Sequence, residues 1–304
     1  MQNQLKRFRE RIKRKPVTLI VGIICKDGIV IAGDSQTTWD TGKSWLANKM
    51  TEVYCPYGRA LVAESGASIT SAAMVESLTN LAKDRSLFDK HGMRGLAGMA
   101  AREVREKFRT QQFNCSSEEF QEFMRRENLN SGLMIAHYED GPKIDTITLA
   151  LGMANRAKLF FEAVGSGSDL AEYLLTDLCY PDMESSMASV VAVHIVEIAK
   201  QHDPYCGGPT KLGILRQPEP TVIHPPGWQW TPGDMLGMGY TPPVILSQSE
   251  TDEIVKMVSA VEIATRQKRS EFIRTALKDR SERFMKEIMQ SMFPTDDKPH
   301  ERET

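Results

Sequence analysis

Thr18 begins the first strongly apolar stretch of the chain, in the segment KPVTLIVGIICKDGIVIAGDSQTT at residues 15–38. A threonine hydroxyl is a poor nucleophile until a neighbouring base removes its proton. If the chain is cut before Thr18, the new α-amine, whose ordinary pKa is about 7.7–8.0, can act as that base. Threonine is also common in ordinary strands, so Thr18 alone does not decide between a nucleophile and a strand residue.

Other motifs whose residue types could bind a ligand or a metal do not have the spacing that such a site requires. The GKS at residues 42–44 ends like a phosphate-binding loop, but Thr37 stands where that loop requires glycine. The GSGS at residues 165–168 does not complete a dinucleotide-binding pattern, and a tight turn before a helix is the simpler interpretation. The six histidines show no metal-ligand spacing. We therefore predict no metal and no cofactor.

The composition is that of an ordinary globular protein, with 304 residues of which 41% are hydrophobic. No apolar run approaches the roughly 20 residues that a membrane span needs. The five cysteines are odd in number and form no C-x-x-C, which indicates reduced thiols and predicts a cytoplasmic protein. A net charge of -2 argues against nucleic-acid binding.

The charge is unevenly distributed along the chain. Residues 1–15 contain seven Lys or Arg and one acid, and the rest contains 31 basic and 39 acidic residues. Residues 1–17 lack the apolar core and the cleavage site of a secretory signal. They are predicted to be a disordered basic arm or a removable propeptide.

Hydrophobic patterning predicts strands first, then helices, then strands again. A Lys-Asp-Gly turn joins the first two predicted strands, and the absence of alternation in them indicates burial on both faces. Strands are predicted at residues 19–25, 29–32, 50–54, 60–63, 131–137, 145–151, 159–164 and 211–216. Helices are predicted at 69–81, 96–108, 118–126 (with Ser116 or Ser117 as N-cap), 169–178 and 183–200. This order favours an α+β domain with antiparallel sheets and helices packed outside them.

The remainder of the chain divides into three further segments. Residues 217–248, rich in Pro and Gly and containing two Trp, predict an extended segment. Residues 249–293 predict a helical extension with a partly apolar face. Residues 294–304 predict a disordered tail.

Five motifs occur in the order and near the spacing found in proteasome β-type subunits. They are TLIVGIICKDGIVIAGDSQTT, Lys49, Gly66 in AESGAS, GSGS, and DPYCGG at residues 203–208. Residues 18–216 thereby resemble proteasome β-type subunits and the peptidase subunit of the bacterial proteasome-like ATP-dependent protease. Both are N-terminal nucleophile hydrolases.

The resemblance implies a fold and an assembly. The fold is a four-layer αββα sandwich of two antiparallel sheets. The implied activity is a threonine-type endopeptidase that hydrolyses unfolded polypeptides. The implied partners are copies of this chain or related subunits in a ring-shaped oligomer, and an ATP-dependent unfoldase.

The resemblance also assigns roles to individual residues. Thr18 is the nucleophile, Lys49 lowers the pKa of its hydroxyl, and Asp34 orients Lys49 and keeps it charged. Ser166 and Asp203 complete the hydrogen-bond network around the threonine amine. Cys206 stands where the family usually has serine, and a thiol is a weaker hydrogen-bond partner.

The same alignment predicts a substrate cleft lined by Thr37, Thr38, Leu61 and Ser65. Leu61 suggests an apolar preference at the primary pocket. Ala63 occupies the position of the family's glycine, whose backbone amide stabilises the oxyanion.

Two departures leave alternatives open. The residue before the threonine is commonly glycine in the family, whereas this chain has a stiff Pro16-Val17 pair. Self-cleavage could be slow, done by another protease, or absent. The alternatives are a non-catalytic structural subunit, unprocessed at Val17-Thr18, and an amidohydrolase of the same class that acts on a small amide.

Overall fold

The structure is a computed structural model, and it describes residues 18–39, 42–44, 49–56, 58–66, 68–126, 131–152, 154–157, 159–217 and 243–260. The chain divides into two compact units, residues 1–255 and residues 256–304. Of the second unit the described residues are 256–260, which are helical.

One antiparallel sheet contains five strands in the order β10-β1-β2-β11-β12. Its strands are β1 (Leu19–Ile24), β2 (Gly28–Asp34), β10 (Phe161–Gly165), β11 (Thr210–Arg216) and β12 (Val244–Ile245). All but one of the residues of β1 and β2 are buried, which explains why polar residues do not alternate through these two strands. The predicted strands 19–25, 29–32, 159–164 and 211–216 are confirmed in place, with shifts of a few residues at their ends.

The turn between β1 and β2 has a second function in the fold. The Asp27 carboxylate accepts hydrogen bonds from the Ser185 amide at 2.7 Å and from the Ser185 hydroxyl at 2.6 Å. Ser185 is the first residue of a helix, so a carboxylate there pairs with otherwise unsatisfied amides. The first hairpin is thereby tied to the helix that covers it.

The second antiparallel sheet has the order β5-β6-β7-β8-β9, and a small hairpin pairs β3 with β4. The strands are β3 (Thr37–Trp39), β4 (Gly42–Ser44), β5 (Met50–Cys55), β6 (Gly58–Ser65), β7 (Gly132–Tyr138), β8 (Pro142–Thr148) and β9 (Ala154–Arg156). Strands β3, β4 and β9 are not among the predicted elements. Each has only three residues, too few for an alternating pattern to be recognised.

Two pairs of helices cover the sheets. The first sheet packs against α4 (Ser168–Leu178) and α5 (Ser185–His202), and the second against α1 (Ser68–Ala82) and α2 (Arg85–Lys107). A π-helix (Phe108–Phe113) and α3 (Ser117–Arg126) follow α2. The Ser116 hydroxyl accepts from the Glu119 amide while Glu119 accepts from the Ser116 amide, so the predicted N-cap is a capping box on Ser116.

The core between the two sheets confirms the four-layer αββα sandwich. It consists of inward-facing side chains of both sheets, namely Ile20, Ile29, Ile31, Met50, Leu61, Ala63, Met134, Ala136, Ile144 and Leu215. A second core fills the space between α1, α2 and the other face of the second sheet. Because both faces of each sheet are buried, the ends of the sheets remain as the places where polar groups can gather around a cleft.

Helix α2 is the largest departure from the predicted elements. The predicted helix spans residues 96–108, whereas α2 begins at Arg85, with the Asp84 carboxylate accepting from the Ser86 and Leu87 amides. Gly92 has φ +61° and ψ 175°, which kinks the helix. The kink interrupts the apolar periodicity, so the first half of the helix is not visible from the pattern.

The predicted segments beyond residue 216 lie mostly outside the described residues. Of residues 217–248, the described part includes the two-residue strand β12, which pairs with β11. Within the predicted extension at 249–293, residues 249–255 belong to the first unit and are helical. A capping box between Ser247 and Glu250 marks the start of this helix. Residues 1–17 and 294–304 lie outside the described residues. Within the described part of the chain, no helix is long and apolar enough to cross a membrane.

Candidate active site

Thr18 lies immediately before β1 and is completely buried. Its carbonyl oxygen accepts a hydrogen bond from the Ser166 amide at 2.9 Å, which ties the start of β1 to the end of β10. Gly165, between them in space, has φ +119°, and a Cβ there would lie 1.8 Å from the Thr18 carbonyl oxygen. The backbone of Thr18 is therefore held by a contact that only glycine permits.

This close contact predicts that Gly165→Ala both destabilises the fold and displaces Thr18. The positive φ alone costs roughly 1–3 kcal/mol for a residue with a side chain. The overlap with the Thr18 carbonyl adds to that cost and moves the threonine. We expect a lower midpoint of urea unfolding and a loss of any activity that depends on Thr18.

Gly141→Ala is the matched control for this variant. Gly141 has φ +105°, close to that of Gly165, but a Cβ there meets no described atom within 4 Å. It therefore isolates the cost of the positive φ. Equal destabilisation and equal activity of the two variants would contradict the importance of the contact with Thr18.

The Lys49 ammonium group faces the hydroxyl of Thr18. Its Nζ lies 2.6 Å from Thr18 Oγ1, 2.6 Å from the carbonyl oxygen of Gln36 and 3.7 Å from Asp34 Oδ1. The Lys49 side chain is 13% exposed and that of Asp34 is fully buried. Three oxygens thus surround a group with three N–H donors, an arrangement suited to the charged form.

Asp34, the last residue of β2, is held by three backbone amides. Its Oδ1 accepts from Leu19 at 2.9 Å, and its Oδ2 accepts from Gly207 at 3.0 Å and from Gln36 at 3.3 Å. Burial raises the pKa of Asp34 above its ordinary value, and Lys49 and the three amides oppose that rise. Since every partner is a donor, the carboxylate form satisfies the site at neutral pH.

Burial disfavours the charged form of Lys49, as it does that of Asp34. It lowers the pKa of Lys49 below that of an ordinary lysine, and the neighbouring Asp34 carboxylate works against that change. A lysine with a lowered pKa is a stronger hydrogen-bond donor and acid than a solvated lysine. Beside a hydroxyl at 2.6 Å, it can stabilise the alkoxide form of Thr18.

Ser166, Cys206 and Asp203 form a chain next to Thr18. Ser166 Oγ lies 3.8 Å from Cys206 Sγ, which donates to Asp203 Oδ2 at 3.6 Å. The other oxygen of Asp203 accepts from the Tyr205 amide at 2.9 Å. Burial raises the pKa of the Cys206 thiol to about 12, so it stays protonated and acts as a weak donor. The structure therefore brings all five predicted catalytic residues to one end of the sandwich.

The residues predicted for the substrate cleft lie in three different places. Ser65 ends β6 and lines an open depression of about 760 Å³, together with Ser166 and Asp203. Thr37 and Thr38 lie in β3, which follows β2 and its last residue, Asp34, along the chain. Their side chains lie outside the described part of the structure.

Leu61 and Ala63 require a correction. Both are buried in the core between the sheets, with exposed fractions of 0% and 1%. Successive residues of a strand point to opposite faces, so these two point inward together, away from any cleft. The Glu64 amide donates to the Lys49 carbonyl, so the Ala63 amide faces the other neighbour, β7, within the ladder. Among the residues that the structure describes, Leu61 packs in the core and not along a cleft, and the Ala63 amide faces β7 and not an oxyanion.

Sequence reasoning missed two backbone groups that complete the cluster and one carboxylate that lies beside it. The Gln36 carbonyl and the Gly207 amide act through the backbone, so their side-chain identities carry no signal. Glu64, directly across the sheet from Lys49, has a carboxylate that accepts from Ser71. Its position beside Lys49 follows from the pairing of β5 with β6, which a hairpin reading of these strands could have supplied.

Comparisons with known proteins show the family of the chain and agree with its fold. A family model described as Proteasome subunit matches residues 17–215. The structure of a mutant of Anbu from Hyphomicrobium sp. strain MC1 is 16% identical and covers 83% of this chain and 96% of its own, with a TM-score of 0.58. Anbu from Yersinia bercovieri, described as an ancestral β-subunit, is 14% identical and covers 81% and 95%, with a TM-score of 0.57. No curated protein matches the chain.

Proposed function

Because the chain belongs to the proteasome subunit family, we propose that it is a threonine-type endopeptidase whose nucleophile is Thr18, exposed by removal of residues 1–17. The observation that carries the proposal is the 2.6 Å contact between Lys49 Nζ and Thr18 Oγ1, made beside a buried Asp34. A lysine that served only as a surface residue would extend into water and would not contact a buried hydroxyl.

The proposed reaction begins with the α-amine of Thr18. The amine accepts the hydroxyl proton while Oγ1 bonds to the carbonyl carbon of the substrate peptide. The peptide C–N bond then breaks, and the leaving amine takes the proton from the α-ammonium. An ester on Thr18 remains. A water molecule gives a proton to the α-amine and attacks the ester carbon, the C–Oγ1 bond breaks, and the α-ammonium returns the proton to Oγ1. Lys49 donates to Oγ1 whenever that oxygen carries negative charge.

The backbone amide of Gly66 is the proposed donor to the oxyanion. Gly66 follows Ser65 at the end of β6, with φ +90°. Because amides alternate along a strand, the Gly66 amide points to the same side as that of Glu64, which bonds to Lys49. That side is the side of the reacting hydroxyl, which suits an amide that must meet the developing negative charge.

The pH dependence of peptide hydrolysis tests the proposal. The α-amine must be neutral and Lys49 must be charged, so kcat/KM is expected to follow a bell-shaped profile. Activity rises as the amine loses its proton, near its ordinary pKa of about 7.7–8.0. It falls as Lys49 loses its proton, and the lowered pKa of Lys49 places that fall below pH 10.5. A profile without an alkaline fall below pH 10.5 would contradict the role of Lys49.

The assembly and substrate follow from the same proposal. We propose that copies of this chain, or related subunits, enclose the sites within a ring-shaped oligomer in the cytoplasm, with unfolded polypeptide as substrate and an ATP-dependent unfoldase as partner. Gel filtration with light scattering tests the oligomer. A monomer that hydrolyses peptides would contradict enclosure but not the catalytic role of Thr18.

A non-catalytic structural subunit is the second candidate function. The observation that favours it is the thiol of Cys206, a weak donor in the chain between Ser166 and Asp203. In that case the chain stays unprocessed and Thr18 keeps its peptide bond to Val17. A fully assembled protein that starts before Thr18 and hydrolyses no peptide would support this candidate.

A further inference from the structure

Residues 203–209 form the loop that brings a backbone amide to Asp34. The loop joins the end of α5 to the start of β11, and its Gly207 amide donates to Asp34 Oδ2 at 3.0 Å. Within the loop, the Cys206 amide donates to the Asp203 carbonyl at 3.0 Å, which closes this part of the loop into a turn. A shift of either end of the loop therefore moves the Gly207 amide relative to the Asp34 carboxylate.

Three side chains join the two ends of this loop. Glu197 and Lys200 lie in the last two turns of α5, and Thr210 is the first residue of β11. The Lys200 ammonium group donates to Glu197 Oε1 at 2.7 Å and to Thr210 Oγ1. The Thr210 hydroxyl in turn donates to Glu197 Oε1. Each of these three groups contacts the other two, and together they form the loop clamp.

The loop clamp holds β11 at the residue that lies next to Asp34. Thr210 pairs with Asp34 in the register of β11 and β2, which places the Cα atoms of the two residues about 4.5–5.5 Å apart. Thr210 is 2% exposed, and the side chains of Lys200 and Glu197 are 13% and 23% exposed. Water therefore has little access to the clamp, and hydrogen bonds between charged groups are strong in such a place.

We infer that the three residues of the loop clamp are positioning residues for the proposed reaction, which keep the Gly207 amide on the Asp34 carboxylate. The inference rests on the proposed function. The clamp acts on the nucleophile in two steps. The Gly207 amide stabilises the carboxylate form of Asp34, and that carboxylate, 3.7 Å from Lys49 Nζ, keeps Lys49 charged. Lys49 then donates to Thr18 Oγ1.

Thr210→Val tests the clamp, because valine has the shape of threonine without its hydroxyl. Glu197 and Lys200 keep their own ion pair in this variant, so both charges stay paired. In the processed full-length assembly, we expect kcat for a fluorogenic peptide to fall by about tenfold, the effect of weakening one hydrogen bond to a charged group. We expect KM to change by less than about twofold, because the clamp supports the reacting groups and not the binding of the peptide.

Three further variants make the result specific. Thr210→Ser keeps the hydroxyl and is expected to retain a kcat within about threefold of the wild type. Lys200→Met opens the other side of the clamp and is expected to lower kcat as Thr210→Val does. Thr251→Val is the matched control, because Thr251 is also buried and donates its hydroxyl to the Ser247 carbonyl at 3.1 Å. It is expected to leave kcat unchanged. Urea unfolding of every variant establishes that the protein folds.

A double-mutant cycle with Asp34→Asn separates a positioning role from a merely structural one. The first measured quantity is the rate at which a peptide epoxyketone, an electrophile that reacts with an N-terminal threonine, labels Thr18. We expect Thr210→Val to lower this rate by about tenfold in the wild type and by less than about twofold in the Asp34→Asn protein. The second quantity, the midpoint of urea unfolding, needs no activity. We expect it to fall less on Thr210→Val in the Asp34→Asn protein than in the wild type.

The outcomes separate this inference from the proposed function. A Thr210→Val protein with the kcat of the wild type, or equal losses in both backgrounds of the cycle, would overturn the role of the clamp and leave Thr18 as the nucleophile. A wild type that neither hydrolyses peptides nor reacts with the epoxyketone would overturn the proposed function and the role of the clamp together.

Discussion

Replacing Thr18 with alanine is expected to abolish peptide hydrolysis, with kcat/KM falling by about 10⁴-fold or more. The expectation follows from chemistry, since the alanine side chain has no oxygen to form the ester, and loss of a covalent nucleophile is among the most costly changes to an enzyme. The fold should survive, because the buried position loses one hydroxyl and one methyl group. Hydrolysis of a fluorogenic peptide measures the effect.

Two matched variants show whether the loss of activity comes from the missing hydroxyl of Thr18. Thr18→Ser keeps a hydroxyl near Lys49 and is expected to retain part of the activity. Thr110→Ala removes the same atoms from an exposed threonine and is expected to change nothing. Activity of Thr18→Ala within tenfold of the wild type would show that another residue is the nucleophile.

Replacing Lys49 with methionine is expected to damage both activity and stability. Methionine is similar in length but has no charge, so Oγ1 loses its donor and kcat/KM falls by about 10²–10⁴-fold. The fully buried Asp34 carboxylate is then left without its counter-ion. Breaking a buried ion pair on one side costs about 3–5 kcal/mol, which urea unfolding of the variant measures.

The double variant Asp34→Asn with Lys49→Met separates the two effects. With both charges gone, much of the lost stability is expected to return, because a neutral amide needs no counter-ion. The activity is expected to stay low, because the donor to Thr18 is still missing. The exposed Lys83→Met is the control for loss of a lysine in general. Recovery of activity in the double variant would contradict the proposed role of Lys49.

The sequence was sufficient where a local pattern determines a local structure. The Lys-Asp-Gly turn between β1 and β2 and the capping box at Ser116 are of this kind, since a few adjacent residues determine each. The first half of α2 was missed because Gly92 places a kink where a periodic pattern was needed. The short strands β3, β4 and β9 were missed because three residues carry no periodicity.

For the candidate site, the order of the motifs predicted which residues come together, but not which way the residues of a strand point. Thr18, Asp34 and Lys49 were found through motifs in a fixed order, and the structure places them in contact. Leu61 and Ala63 were assigned by alignment without a test of strand alternation, and alternation turns both into the core. Backbone groups such as the Gln36 carbonyl cannot be found from residue types, because every residue has the same carbonyl.

The first residue of the purified, assembled protein shows whether Thr18 is an N-terminal nucleophile. Intact mass spectrometry gives that residue without any assumption about substrate. For the wild type we expect the mass of a chain that begins at Thr18, and for Thr18→Ala we expect a longer chain if the subunit cleaves itself. A wild-type assembly composed entirely of chains that begin before Thr18 would show that Thr18 is not an N-terminal nucleophile.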